Sequence, residues 1–504
     1  MKPFSLLFLL TSLLIATGCG SPDIPAQYTP SETRLNLYPD YTGGITIPPN
    51  ICPLNFLVRN EGDRFIAVLS GKDKQLKADA RADGKIIFDE AEWDNLLAAN
   101  RNGKLTLTVY AETESGWVRY PDETIRVAAE EIDPYLSYRL IEPGYELYRQ
   151  VGLYQRNLTN YEVKTIYENN RTFDAAHNHC VNCHNYQAYS TRNMLFHVRG
   201  MHGGTLIAAN GSIGKINPKN DSILGSAVYP SWHPTQPWIA FSSNKTGQTF
   251  HMAHSEKVEV VDTSSDLIFY DAREQTVSNI LRTRETLETF PCWHPDGTRL
   301  YYCAATLPAL ASLPDSLHAR YIVAHYDSIR YNVMRIDFDP STRRFGTQEV
   351  EVDCQSAGKS ASVPRVSPDG RYLLFTLGDY GQFHIWHKSA DLYVKDLRNG
   401  EVRRLDHANS ADVDSYHTWS SNGRWIVFSS RRDDGSYTRP YIAYFDPAGQ
   451  DGKAFMLPQA DPEQNLLLLK SYNVPELTKD AVMQTPEDFR KVIYETEAKP
   501  VSYK

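Results

Sequence analysis

The sequence predicts a mainly β protein, with a small N-terminal β-sandwich followed by a tandem array of repeated β units. Three observations carry that class. One pattern of strand, tight turn and alternating strand recurs four times between residues 229 and 430. Apolar and polar residues alternate with a period of two in many strand-sized windows. The 504 residues include 31 Tyr, 29 Gly and 29 Pro, which suits half-buried strands joined by turns. Hydrophobic residues make up 41% and charged residues 22%, as in a globular chain with a sizeable core. The length points to two or three domains. The net charge is −9, and without a basic block the chain is not expected to bind nucleic acid.

Residues 1–18 read as a signal peptide. Lys2 supplies the positive start, and Phe4 to Ile15 is an apolar stretch too short for a good membrane span. Ala16-Thr17-Gly18 precede Cys19, which resembles a bacterial lipobox with Ala16 where Leu is usual. The resemblance implies cleavage before Cys19 and lipid attachment to it, and several acyl chains give stable anchoring. A plain secretory signal with an incidental cysteine is the alternative. The expected product is a lipid-anchored protein of a bacterial cell envelope, facing the periplasm or the cell surface. Residues 19–34 are polar and Pro-containing, as in a tether.

Residues 35–130 are expected to form the sandwich. Strand-like windows run from Ile45 to Ile47, Phe56 to Arg59, Phe65 to Leu69, Lys85 to Phe88, Leu105 to Ala111 and Thr124 to Ala128, with a helix at Glu90 to Asn100. No catalytic constellation falls there, so a spacer or docking role is the plain expectation.

Residues 131–190 form a Tyr-rich segment, with seven tyrosines before residue 180 (Tyr135, Tyr138, Tyr145, Tyr148, Tyr154, Tyr161 and Tyr167), and a short helix is predicted from Tyr161 to Asn169. The tyrosines suit either an aromatic wall around a macrocycle or an ordinary domain interface. This segment ends in Cys180-Val181-Asn182-Cys183-His184, a C-x-x-C-H sequence. That spacing lets two thiols reach both vinyl groups of a porphyrin, and the adjacent histidine can bind the iron, so it reads as a c-type haem attachment site. A zinc half-site would want a second Cys or His pair, and no second C-x-x-C exists. A redox dithiol would want a thioredoxin-like context that is missing here.

Residues 191–465 carry the repeats. The units begin Tyr229-Pro230-Ser231-Trp232-His233-Pro234, Phe290-Pro291-Cys292-Trp293-His294-Pro295, Val363-Pro364-Arg365-Val366-Ser367-Pro368 and Tyr416-His417-Thr418-Trp419-Ser420-Ser421. Asp296-Gly297, Asp369-Gly370 and Asn422-Gly423 then make tight turns into strands that place Leu300 and Tyr302, Leu373 and Phe375, Ile426 and Phe428 on one face. Ser367-Pro368-Asp369-Gly370-Arg371-Tyr372-Leu373-Leu374-Phe375 resembles the blade signature of TolB-like, WD40-like β-propellers; Thr235-Gln236 and Ser421-Asn422 depart from it. The resemblance implies a propeller with five visible blades and a sixth closed by the chain ends, and it implies protein partners. It does not specify an activity. The anchors Trp232, Trp293, Val366 and Trp419 lie 61, 73 and 53 residues apart, so the units carry insertions, the largest between Tyr302 and Met334. His233 and His294 occupy equivalent positions and read as structural turn residues. Residues 466–504 show no repeat and are expected to form an extended tail.

The expected site is one covalent haem c, attached at Cys180 and Cys183, with His184 as the proximal iron ligand. His197 ranks first as distal ligand because it alternates along an apparent strand, and Met201 second; Met194, His202, His177 and His179 are further candidates, and His197 could equally be a core histidine. Cys52, Cys292, Cys303 and Cys354 remain, as disulfides or as buried thiols. No G-x-S-x-G, H-E-x-x-H or P-loop occurs. The chain looks like the TolB-like propeller lipoproteins with a C-x-x-C-H insertion found in some bacterial envelopes. Electron transfer, or service as the haem-bearing subunit of an envelope redox complex, is the leading expectation, with a redox partner the sequence does not name. A non-redox interaction scaffold and a redox enzyme with an unseen second cofactor are the alternatives.

Overall fold

The computed structural model describes residues 22–142, 150–172, 179–251, 253–254, 256 and 258–504. The signal peptide, Cys19, Tyr145, Tyr148 and His177 lie outside them.

Six antiparallel sheets follow one another along the chain. The first pairs Ser471–Thr478 with Tyr135–Ile141, Val151–Asn157 and Val163–Glu168, so the strand that begins it comes from the far end of the chain. The second runs through His179–Gln187, Ser190–Gly200, Gly204–Ala209 and Ser212–Asn217. The third to sixth begin with Ala227–Trp232, Thr286–Trp293, Ser360–Val366 and Asp414–Trp419. These leading strands touch in turn around a closed circle, the sixth against Ser471–Thr478 and that strand against His179–Gln187. The fold is propeller-like.

Every leading strand carries the same defect. Its pairing slips by a bulge, and one residue at the slip takes a positive φ: Cys183 (55°), Tyr229 (46°), Phe290 (54°), Val363 (51°), Tyr416 (47°) and Val474 (48°). For Val363 and Val474 this is a costly conformation, because a β-branched side chain crowds the backbone there. Its recurrence in all six strands marks it as a requirement of the ring.

Neighbouring sheets are tied near their turns. His233 Nε2 lies 3.1 Å from the Gly297 carbonyl oxygen, and His294 Nε2 lies 3.2 Å from that of Gly370. Both histidines are therefore structural. Gly297 and Gly370 sit at φ of +73° and +72°, and a Cβ on either would collide with the histidine ring.

The N-terminal region forms a seven-stranded and a three-stranded sheet with helix Glu90–Ala99, capped by Asp89. Six of the strands lie at the predicted windows; Thr29–Pro30, in the expected tether, Leu37–Tyr38, Gln75–Arg81 and Gly116–Arg119 are additional. This region is docked on the ring. Its core continues into Trp425, Val427, Ile442 and Phe455 of the sixth sheet and Tyr138 and Tyr472 of the first. Asp133 accepts from the Ser421 N–H and hydroxyl, both at 2.6 Å, and Trp425 Nε1 donates to the Glu130 carbonyl at 3.1 Å.

Three expectations need correction. The helix predicted from Tyr161 to Asn169 is largely a strand, Val163–Glu168, because β-branched Val163 and Ile166 and aromatic Tyr167 suit the edge of the first sheet. Residues 131–190 are not a separate attachment segment; they supply most of the first sheet and the leading strand of the second. Residues 466–504 are not simply an extended tail. They provide the strand that closes the ring, a helix Pro486–Glu495 with a Thr485/Asp488 capping box, and two short strands added parallel to the second and third sheets.

Candidate functional site

The C-x-x-C-H sequence lies on the leading strand His179–Gln187, which pairs with Ser190–Gly200 across a two-residue turn, Ala188-Tyr189, with both φ angles positive. In a regular strand, residues three apart point to opposite faces. Here the bulge at Cys183 breaks that alternation, so Cys180, Asn182, Cys183 and His184 all line one cavity of about 430 Å³ at the centre of the ring. All six bulge residues line it: the Cys183 thiol shares the wall with Tyr229, Phe290, Val363, Tyr416 and Val474. Phe383 and Trp386 add aromatic surface from the loop after the fifth sheet's second strand. The volume lies within the roughly 300–1,000 Å³ of small-molecule and cofactor sites.

His184 is the unusual member. Its residue is 2% exposed, and neither Nδ1 nor Nε2 has a hydrogen-bond partner. Burial, with the Arg139 guanidinium nearby, pushes its pKa down to about 3, so the ring is neutral at ordinary pH. The backbones of Ser137 and Val474 oppose that shift slightly, yet neither completes a hydrogen bond. Leaving a buried polar atom unpaired costs about 1–3 kcal/mol, and such atoms in a native fold call for an explanation. His417 stands at the same place in the sixth sheet, also buried and neutral, but its Nε2 lies 3.2 Å from the Leu374 carbonyl oxygen. Two cysteines and a neutral imidazole with neither nitrogen paired, gathered at one cavity, are the donor set that an iron porphyrin takes. Burial also pushes the Cys183 thiol up, which keeps it protonated.

The cavity is positively charged inside an acidic protein. Arg139, Arg199 and Arg365 line it, against one carboxyl group, Glu476. Arg139 Nε is buried without a partner, and Nη1 donates only a long bond of 3.4 Å to the Val181 carbonyl. Burial pushes the Glu476 pKa up to about 7, and Asn185 donates to its Oε1 at 2.8 Å.

The mouth is crossed by the longest hairpin of the ring, Trp238–Phe250 and Val258–Asp271, which contributes Thr246, Gly247, Gln248 and Val260 to the wall. It is held at its outer end by Glu259, which accepts from the Tyr380 hydroxyl at 2.6 Å and lies 3.0 Å from His387 Nε2.

The expected distal ligands are not at this wall. His197 is buried between sheets, with Nδ1 3.2 Å from the Thr205 hydroxyl; its place on the paired strand, beside Leu195 in alternation, aims it away from the cavity. Met201 sits on the turn after that strand and is 66% exposed. Met194 is buried in the core between the first two sheets, and His179 lies beside Tyr167, 2.8 Å from its hydroxyl. The described tyrosines of residues 131–190 do not line the cavity either. Tyr138 packs against Tyr154 and Tyr472, and Tyr161 donates to the Pro53 carbonyl at the docked domain, so they build interfaces. Cys52, Cys292, Cys303 and Cys354 are buried free thiols.

Sequence reasoning passed over Arg139, Arg199, Arg365 and the bulge ring. One signal was available. Cys183-His184 occupies the repeat position of Tyr229-Pro230, Phe290-Pro291, Val363-Pro364, Tyr416-His417 and Val474-Pro475. Aligning those dipeptides places the motif at the centre of the ring.

No protein-family model matches the chain, and no curated protein does. Among solved structures, an oligogalacturonate lyase in complex with manganese is similar over 64% of this chain and 72% of its own, at 11% identity and a TM-score of 0.35. Hydrazine synthase of Kuenenia stuttgartiensis is similar over 70% of this chain and 48% of its own, at 10% identity and a TM-score of 0.45. Prolyl oligopeptidase B from Galerina marginata gives 61%, 41%, 9% and 0.36 for the same quantities. These likenesses are distant; the ring is read from the strand pairing itself.

Proposed function

We propose that the chain is an envelope lipoprotein that holds one c-type haem in the central cavity of a six-bladed TolB-like propeller, and that it works in electron transfer or as the haem-bearing subunit of a redox complex. The observation that carries this reading is the convergence of Cys180, Cys183 and a partnerless His184 on one buried cavity. Each thiol would add across a vinyl group, sulfur bonding the inner carbon and the thiol hydrogen passing to the outer one. The neutral His184 ring has a nitrogen lone pair free for iron. The bound group would supply an iron that cycles between ferric and ferrous states. The chain's own contribution is to fix the attachment points on a rigid strand, shield the group with Phe290, Phe383, Trp386 and Tyr416, and offer the arginines to its propionates.

A second reading, a non-redox interaction scaffold, is favoured by one fact: five other strands carry the same bulge with no cysteine in it. Expression in a periplasm with haem attachment machinery separates the two. A denaturing gel stained for haem, with reduced-minus-oxidised visible spectra, should show covalent haem that is lost in Cys180→Ala/Cys183→Ala. A folded, haem-free protein beside a working control cytochrome would overturn the proposal and leave the scaffold.

A further inference from the structure

The wall of the central cavity has a donor set that does not suit a second permanent iron ligand. Among the described residues, His184 is the only histidine on it, and no methionine or lysine lines it. The polar residues that do line it are Arg139, Arg199 and Arg365, the amides Asn182, Gln248 and Asn473, the hydroxyl residues Thr246, Tyr229 and Tyr416, and one acid, Glu476; Asn182 Oδ1 is buried without a partner. None of the three arginines is in an ion pair among the described residues. Arginine stays charged at any ordinary pH, and a guanidinium in a partly enclosed site binds anions far better than one in water.

Resting on the haem reading, we infer that the cavity is a binding site for a small anion, which the iron would take with Arg139, Arg199 and Arg365 as its counter-charges. Charge counting supports the choice. Two propionates would neutralise two of the three guanidiniums, and ferric iron carries one positive charge more than the porphyrin cancels. With Glu476 ionised the loaded cavity would still keep one net positive charge, and it would draw an anion rather than a cation. The hairpin residues Thr246, Gly247 and Gln248 at the mouth are small or polar and leave room for a ligand of a few atoms.

The test uses the haem-loaded full chain and two probe classes. Sodium azide and sodium cyanide are added to the ferric protein, and carbon monoxide, which is neutral, to the ferrous protein. The expected ferric spectrum is high-spin, shifting to low-spin with cyanide. Arg199→Gln, at an exposed position that should not disturb folding, should weaken azide binding about tenfold while leaving carbon monoxide affinity within about twofold, as expected when one charge-assisted hydrogen bond is lost. Arg139→Lys should fall between the two. A haem-loaded protein that is low-spin without added ligand and responds to no probe would overturn this inference and leave the electron-transfer proposal standing. Equal losses for azide and carbon monoxide would also overturn it, since charge would then not be the reason. A protein without haem would overturn both.

Discussion

Replacing Gly297 by alanine should weaken the joint between the third and fourth sheets by an amount the structure lets one divide into parts. Gly297 sits at φ +73°, and an ideal Cβ there would lie 2.5 Å from His233 Nε2. An L-residue in that region costs about 1–2 kcal/mol. Gly400→Ala shares that cost and nothing else, because Gly400 has φ +80° and no heavy atom within 4 Å of its Cβ. The Gly297 variant must also push the imidazole aside. Overpacking of this kind costs about 1–3 kcal/mol, and the displaced bond to the Gly297 carbonyl about 1 kcal/mol. Gly297→Ala should therefore exceed Gly400→Ala by roughly 2–4 kcal/mol. Urea unfolding followed by tryptophan fluorescence measures the difference; two of the eight tryptophans, Trp238 and Trp293, have rings 5.0 Å from that of His233. In a His233→Ala background the excess should shrink below about 1 kcal/mol, as the colliding ring is gone. Equal losses for the two glycine variants, or an undiminished excess without His233, would refute the tie.

Glu288 should by itself make stability fall as pH rises from about 4.5 to about 8, because burial raises its pKa from 4.5 to about 8 and the folded chain keeps a proton that the unfolded chain has released; the buried neutral rings of His184, His197, His384 and His417 act in the opposite direction up to about pH 6.5. That gap corresponds to roughly 5 kcal/mol at most, and Asp262 (to about 7) and Asp266 (to about 6) add in the same direction as Glu288; the stability of Glu288→Gln relative to the unchanged chain, read from urea midpoints, should rise between pH 5 and pH 8, and a difference that does not change with pH would remove Glu288 as a source. A thiol reagent should find Cys52, Cys292, Cys303 and Cys354 unreactive in the native chain and all four reactive in denaturant, since each is buried and free; fast native labelling of any of them would contradict that burial.

The middle of the ring was legible and its ends were not. Units led by Tyr229, Phe290, Val363 and Tyr416 announce themselves by Pro or Trp before a turn and alternation after it. The second sheet lacks an Asp-Gly turn and uses Ala188-Tyr189 instead, so its leading strand passed for part of an attachment segment. The strand Ser471–Thr478 pairs with Tyr135–Ile141 more than 300 residues away, and no local pattern reports such a partner. Residues 161–169 were misread as helical because Tyr161, Glu162, Lys164 and Glu168 have no strong strand pattern, while neighbouring strands decide their conformation. Of the site, the thiols and His184 stood out by spacing; the arginines come from three different sheets and could not be gathered from sequence.

The ring explains one half of the C-x-x-C-H sequence and leaves the other half to function. Cys183 lines the cavity because the leading strand of every sheet must bulge there, and valine, tyrosine or phenylalanine serves as well in the other five strands. Cys180 has no such excuse. Its counterparts three residues before each bulge are Ser226, Leu287, Ser360, Val413 and Ser471, and none of them lines the cavity. His184 stands where Pro230, Pro291, Pro364 and Pro475 stand in four sheets, residues with no side-chain polar atom to satisfy, and where His417 in the fifth case reaches a carbonyl. A scaffold gains nothing from an imidazole buried without a partner, and a proline there would cost the ring nothing. The departures from the repeat, a second cysteine at the cavity wall and one nitrogen pair left without a partner, are the two that the proposed covalent attachment and iron ligation would require, while the cysteine at the bulge completes the set.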